Sequence, residues 1–143
     1  MIDPKPPIDA LQILAPLLVS VVYIGIMSLL TERARRRWSA LIIAGAGGVY
    51  FGAGFGPWEI AFSIPMFWLA YRGLDEYRYV GVGWILHVIW DVLHHLYGRP
   101  ILPFIPLSSF GCAICDTGLA VWYLMRAPVL WPRSQIDPVL ITE

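Results

Sequence analysis

Charged side chains are scarce in this sequence, and their scarcity excludes most soluble proteins. Only 14% of the 143 residues are charged and 58% are hydrophobic, whereas soluble domains carry about 25% charged residues. Ten basic and ten acidic residues cancel, so there is no net positive charge for binding nucleic acid. Two cysteines are too few for a disulfide scaffold, and the apolar content excludes a disordered chain. The composition predicts an integral membrane protein.

Long apolar runs occur where charges are missing. Four runs are long enough for a membrane helix of about 20 residues, and the second, from about 39 to 71, is too long for one. Three glycines and Pro57 favour a break inside it, although one span followed by a re-entrant segment is an alternative. We predict an all-α, polytopic transmembrane helix bundle with five spans, at about 10–30, 39–56, 57–71, 79–97 and 107–125. Residues 1–143 would form a single transmembrane domain, with a short N-terminal segment 1–9 and a C-terminal tail 127–143.

The distribution of basic residues favours five spans over four. With the N-terminus outside, only Lys5 and Arg99 fall on the outer side, and eight arginines fall inside: Arg33, Arg35, Arg36, Arg37, Arg72, Arg78, Arg126 and Arg133. Basic residues accumulate on the cytoplasmic side of membrane proteins, whereas four spans would divide the ten evenly. We therefore predict a multi-pass protein of the cell membrane, with its N-terminus outside and its C-terminus in the cytoplasm.

Small residues recur every four positions in the second predicted span. Ala44, Gly48, Gly52 and Gly56 would share one face of a continuous helix. Such ladders allow two helices to approach closely in lipid. The pattern predicts tight packing inside the bundle or, alternatively, the contact face of a homodimer.

Ionisable residues inside the predicted spans are few and lie close together. The acids there are Glu59, Asp91 and Asp116, and no lysine or arginine accompanies them. All three histidines of the chain also lie in these spans: His87, His94 and His95. Groups of this kind are costly in a membrane and mark functional sites. Helical spacing places His87, Asp91 and His94 on one face of the fourth span and Cys112, Cys115 and Asp116 on one face of the fifth. With Glu59 at a similar depth, we predict that they converge in the outer half of the membrane.

Three carboxylates without a basic partner cannot all remain ionised in a low-dielectric site. They must be protonated, pair with an imidazolium or hold a cation. Histidine and carboxylate ligands at helical spacing suit zinc or iron. We predict a divalent metal bound by His87, Asp91, His94 and His95, with Glu59 or Asp116 as the catalytic general base. Cys112 and Cys115 are open to interpretation as ligands, redox groups or packing residues.

Several motifs carry a resemblance to a known family. They are G-x-W-E, then G-W-x-L-H-x-x-W-D-x-x-H-H-L-Y-G, then S-S-x-G-C-A-x-C-D. This combination, over about residues 38–120, resembles a family of small bacterial integral membrane proteins catalogued as a domain of unknown function. The resemblance implies a polytopic membrane protein and no particular activity. The histidine cluster is also similar to the ligand sets of intramembrane zinc hydrolases and membrane-bound di-iron oxygenases, which carry more histidines.

The sequence thus favours a metal-dependent enzyme that acts on a membrane lipid or another apolar substrate. Four alternatives remain. They are a metal-free acid–base isomerase, a metal or proton carrier, a thiol–quinone redox protein that uses Cys112 and Cys115, and a structural or accessory membrane subunit in which the polar cluster holds helices together.

Overall fold

The structure is a computed structural model that describes residues 6–131. It contains five α-helices: α1 (Ala10–Leu29), α2 (Glu32–Ala46), α3 (Pro57–Gly73), α4 (Tyr77–Tyr97) and α5 (Ser108–Leu124). No β-strand occurs among the described residues, so the predicted all-α class is confirmed. In this part of the chain, α1 alone is both long and apolar enough to count as a membrane-span candidate, and it lies near the N-terminus.

The second helix differs most from its predicted bounds. The hydropathy pattern placed a span at 39–56, whereas α2 begins at Glu32 and ends at Ala46. Thr31 caps its start by accepting a hydrogen bond from the backbone N–H of Ala34. Arginine is a good helix former, so the arginine-rich segment forms the first turns of α2. Hydropathy alone had assigned that segment to a loop.

The predicted helix face of small residues (Ala44, Gly48, Gly52 and Gly56) is wrong, because α2 ends before three of these four positions. Gly48, Gly52 and Gly56 follow the end of α2, and φ is +85° at Gly52, +118° at Gly54 and +57° at Gly56. Only glycine adopts these angles readily, and none of them fits a continuous α-helix. The predicted homodimer contact therefore has no helix face at these positions. The segment forms a series of turns, and α3 begins at Pro57, where proline is favoured.

Helix α4 contacts α2, α3 and α5, while α1 packs on α5. Two glycines of α4 allow the close approach. A Cβ atom added at Gly83 would lie 2.8 Å from Cγ1 of Ile43 in α2, and one at Gly81 would lie 3.0 Å from the backbone nitrogen of Leu124 in α5. A larger residue at either position would force the helices apart, so these glycines set the spacing around α4.

The bundle has an apolar core, which includes Ile43, Met66 and Val80, but it also buries many polar side chains and exposes many large apolar ones. Every helix exposes large apolar residues, for example Leu18, Leu41, Ile64, Ile89 and Val121. The buried polar residues are Ser20, Ser28, Arg35, Ser39, Glu59, Ser63, His87, Asp91, His94, Ser109 and Asp116. Because their hydrogen-bonding groups are removed from solvent, they must find partners inside the bundle.

Two polar networks connect the helices at the arginine-rich end. The hydroxyl of Tyr123 in α5 lies 2.7 Å from those of Tyr23 in α1 and Ser39 in α2. Close by, Nε of the buried Arg35 donates to the hydroxyl of Tyr77 at 2.8 Å, and Arg35 also pairs with Glu32. These contacts join the start of α2 to the start of α4.

We expect that removing the Tyr77 hydroxyl destabilises the fold. Tyr77→Phe leaves Nε of buried Arg35 without its acceptor, which costs about 1–3 kcal/mol. The measurement is thermal unfolding of the purified protein in detergent. Tyr79→Phe is the matched control, because the Tyr79 hydroxyl bonds to the exposed Arg72. Equal melting temperatures for both variants would contradict the role assigned to Tyr77.

Candidate functional site

Three buried side chains meet between α4 and α5. His87 and Asp91 lie one turn apart on α4, and Asp116 comes from α5. Nδ1 of His87 is 2.7 Å from Oδ2 of Asp116 and 3.2 Å from Oδ2 of Asp91. One potential ligand atom from each residue lies within 4.8 Å of the others, so this group could hold a metal ion. It is called the His87 group below.

The end of α2 orients the His87 group. Nε2 of His87 lies 3.1 Å from the carbonyl oxygen of Ala46, the last residue of α2. A carbonyl only accepts hydrogen bonds, so Nε2 carries a proton and Nδ1 is the nitrogen that faces the two carboxylates. Tyr50, in the turns after α2, donates its hydroxyl proton to Oδ1 of Asp91 at 2.6 Å. Metal-binding histidines and carboxylates are commonly oriented by such outer contacts.

The negative charges of Asp91 and Asp116 can be balanced in three ways. Nδ1 can carry a second proton, which makes an imidazolium shared by two carboxylates. A protonated carboxyl group can instead donate to Nδ1, or all three side chains can bind a cation. Among residues 6–131, no lysine or arginine forms an ion pair with Asp91 or Asp116. A divalent cation would neutralise both carboxylates, so the donor set fits a metal.

Glu59 and His94 form a separate buried pair beside the His87 group. The Glu59 carboxylate accepts hydrogen bonds from the backbone N–H groups of Gly52, at 2.6 Å, and Phe55, at 3.0 Å. Nδ1 of His94 donates to the carbonyl of Trp90 at 3.0 Å, which leaves Nε2 facing Oε1 of Glu59 at 3.9 Å. The glycine turns thus form a backbone cradle for Glu59, and His94 faces it from α4.

Tyr50 lies between the two clusters and touches both. Its ring stacks on His94 with the centroids 3.9 Å apart, and its hydroxyl binds Asp91. This residue had no predicted role in the site. No local signal could have identified it, because its partners lie more than 40 positions away in the chain.

The structure brings two of the four predicted metal ligands together. His87 and Asp91 join Asp116, which had been predicted as a general base. His94 stands outside this group and faces Glu59, the other predicted base. His95 is half-buried on the flank of α4, with its ring 5.5 Å from that of Phe110.

A cavity of about 550 Å³ lies between α1, α5 and the loop before α5. Its wall is mainly apolar, with Leu11, Pro16 and Val19 from α1. Asp116 also lines it, as do the half-buried thiols of Cys112 and Cys115. Asp116 therefore belongs both to the His87 group and to the cavity wall, and it connects the two.

The sequence profile of a family of unknown function, DUF6010, matches residues 11–129. The chain belongs to this family. In this DUF6010 member, the match covers α2 to α5 and nearly all of α1. It therefore includes both the His87 group and the Glu59–His94 pair. The resemblance to a family of unknown function is thereby confirmed. No curated protein and no solved structure matches the chain.

We expect that the Tyr50 hydroxyl supports the His87 group. Tyr50→Phe keeps the ring that stacks on His94 but leaves Oδ1 of buried Asp91 without this donor, which costs about 1–3 kcal/mol. Thermal unfolding in detergent measures the loss. Tyr97→Phe, in which the tyrosine is 71% exposed, is the control and should unfold like the wild type. An unchanged melting temperature for Tyr50→Phe would contradict the assignment.

Proposed function

We propose that this DUF6010 member is a multi-pass protein of the cell membrane, with all five helices crossing as an antiparallel bundle. The exposed apolar residues on every helix and the polar side chains buried between the helices support this arrangement. The helices have 15 to 21 residues, which is about 22–32 Å at 1.5 Å per residue. The hydrocarbon core is about 30 Å thick. In α2 the four arginines lie within the first six residues, so residues 38–46 and the turns that follow them up to α3 would make this crossing, with local thinning of the bilayer.

The proposed orientation places the N-terminus outside and the C-terminus in the cytoplasm. Seven of the eight arginines predicted to lie inside are within the described residues, at the ends of helices or in adjoining turns: Arg33, Arg35, Arg36, Arg37, Arg72, Arg78 and Arg126. Lys5 and Arg133, which also entered the prediction, lie outside the described residues. This orientation puts the turns after α2 and the Glu59–His94 pair in the outer half of the membrane.

Reporter fusions test the topology directly. A fusion after residue 75, between α3 and α4, should report the cytoplasmic side. A fusion after residue 102, between α4 and α5, should report the outer side, because basic loops are retained in the cytoplasm. If both fusions report the same side, the antiparallel bundle is wrong.

Within this membrane protein, we propose that the His87 group binds a divalent metal, zinc or iron. The observation that carries the proposal is the contact of His87 Nε2 with the Ala46 carbonyl, which directs Nδ1 toward the two carboxylates. Catalytic zinc sites combine three protein ligands with an open position. His87, Asp91 and Asp116 supply three ligands, and Asp116 adjoins a cavity through which a fourth could enter.

The cavity supports an enzyme that acts on a lipid or another apolar substrate. Its wall would bind the apolar part of the substrate and exclude water, and Asp116 lies where the reacting group would meet the metal centre. A bound metal would polarise an oxygen atom of the substrate or activate a water molecule. Cavities of about 300–1,000 Å³ are typical of small-molecule sites.

A metal-free role is the second candidate, and one observation favours it. Both distances from His87 Nδ1 to the carboxylates are short enough for hydrogen bonds, so an imidazolium could hold α4 and α5 together without a metal. The His87 group would then act as a structural contact, as in an accessory subunit, or as an acid–base pair.

Metal analysis separates these functions. Protein purified in detergent without chelator should contain about one zinc or iron per chain, and a chelator should lower its melting temperature. His87→Ala should lose the metal and this chelator effect. His94→Ala and His95→Ala are matched controls on α4 that should keep the metal. A metal-free wild type whose melting temperature zinc and iron leave unchanged would favour the structural or acid–base role.

A further inference from the structure

The four arginines at the start of α2 divide into two pairs with different surroundings. Arg35 and Arg36 turn toward the bundle, where both contact Glu32. Arg33 and Arg37 are exposed, and neither guanidinium group forms a hydrogen bond or an ion pair with any residue between 6 and 131. Because they are four residues apart, these two lie on the same side of the helix. Two guanidinium groups are therefore available to a ligand outside the bundle.

Arg37 stands at one end of an apolar groove of about 430 Å³ between α2 and α3. Small, mostly buried side chains form its floor, from Ala40, Ala44 and Ala70, and larger exposed ones form its walls, from Leu41, Phe67, Tyr71 and Leu74. Arg37 is the charged residue of this lining. The groove is thus apolar along its length and positively charged at the end that the proposed topology places at the cytoplasmic surface.

We propose that this groove binds an anionic phospholipid of the inner leaflet. One acyl chain would lie on the alanine floor, and Arg37 and Arg33 would bind the phosphate of a headgroup that carries no positive charge to offset it. Guanidinium groups bind phosphate through two parallel hydrogen bonds. The proposal rests on the membrane topology proposed above and does not depend on the metal centre.

Charge complementarity favours a phospholipid over a second copy of the chain. The cytoplasmic end of the described residues carries seven arginines and only three acids, Glu32, Asp75 and Glu76. Two copies in one membrane have the same orientation, so a symmetric dimer through this groove would bring its arginine-rich ends together. An anionic headgroup supplies the opposite charge at the depth where the arginines lie.

The test compares two lipids that differ only in the headgroup. Dioleoyl phosphatidylglycerol and dioleoyl phosphatidylcholine are titrated into the detergent-purified full chain, and binding is measured by native mass spectrometry. Phosphatidylglycerol should bind more tightly. Each arginine near an anionic lipid contributes about 1 kcal/mol, which is about fivefold in affinity. The double variant Arg33→Gln/Arg37→Gln should therefore lose about 30-fold of its phosphatidylglycerol affinity and less of its phosphatidylcholine affinity, because the choline cation already offsets the charge of that phosphate.

Two further variants test the location of the site. Arg78→Gln removes an arginine from the same end of the bundle but on α4, beside Glu76, and should keep the preference for phosphatidylglycerol. Ala44→Leu fills the groove and should weaken the binding of both lipids, with a lipid-free melting temperature close to that of the wild type. Equal affinity of the wild type for both lipids would overturn the proposal, as would a preference that survives in the double variant or is lost equally in Arg78→Gln. Zinc and iron content measured on the same samples shows whether the metal centre fails independently.

Discussion

The hydrogen bond from His87 to the carbonyl of Ala46 determines much of the arrangement around it. A carbonyl at a helix end has no partner within the helix, and here it accepts from Nε2 of His87 at 3.1 Å and from the backbone N–H of Val49 at 3.4 Å. The contact is possible because α2 ends at Ala46 and the chain turns immediately afterwards. The turn then brings Tyr50 to Asp91 and the N–H groups of Gly52 and Phe55 to Glu59. The glycines with positive φ are the residues that make this course possible.

Local patterns in the sequence were sufficient for part of this arrangement. His87 and Asp91 are four residues apart on an uninterrupted helix, so their common face followed from helical geometry. The connection between α4 and α5 is short, so these helices are antiparallel neighbours, and this favoured the predicted convergence of their polar faces. Pro57 marked the start of α3. In each case the signal lies in a few adjacent residues or in one short loop.

The remaining features depend on contacts between distant residues or on a conflict between two local signals. At the start of α2, the arginines are unfavourable in an apolar span but favourable in a helix, and hydropathy gave the wrong boundary. At its end, a four-residue spacing of small residues mimicked a helix face, although the glycines serve the turns. The roles of Tyr50 and of the Ala46 carbonyl depend on tertiary packing, which no periodicity in the sequence encodes.

The segment from Ala46 to Phe55 supplies backbone or side-chain groups to both buried clusters, and this has a consequence for how the family can vary in length. Inserting or deleting one residue there would shift Tyr50, Gly52 and Phe55 relative to Ala46, and both clusters would lose partners at once. The loop before α5 bonds to this segment at its start, where the backbone N–H of Arg99 donates to the carbonyl of Ala53 at 2.9 Å, but it supplies no side chain to either cluster. Natural homologues should therefore tolerate changes of length between Arg99 and α5 far better than between α2 and α3.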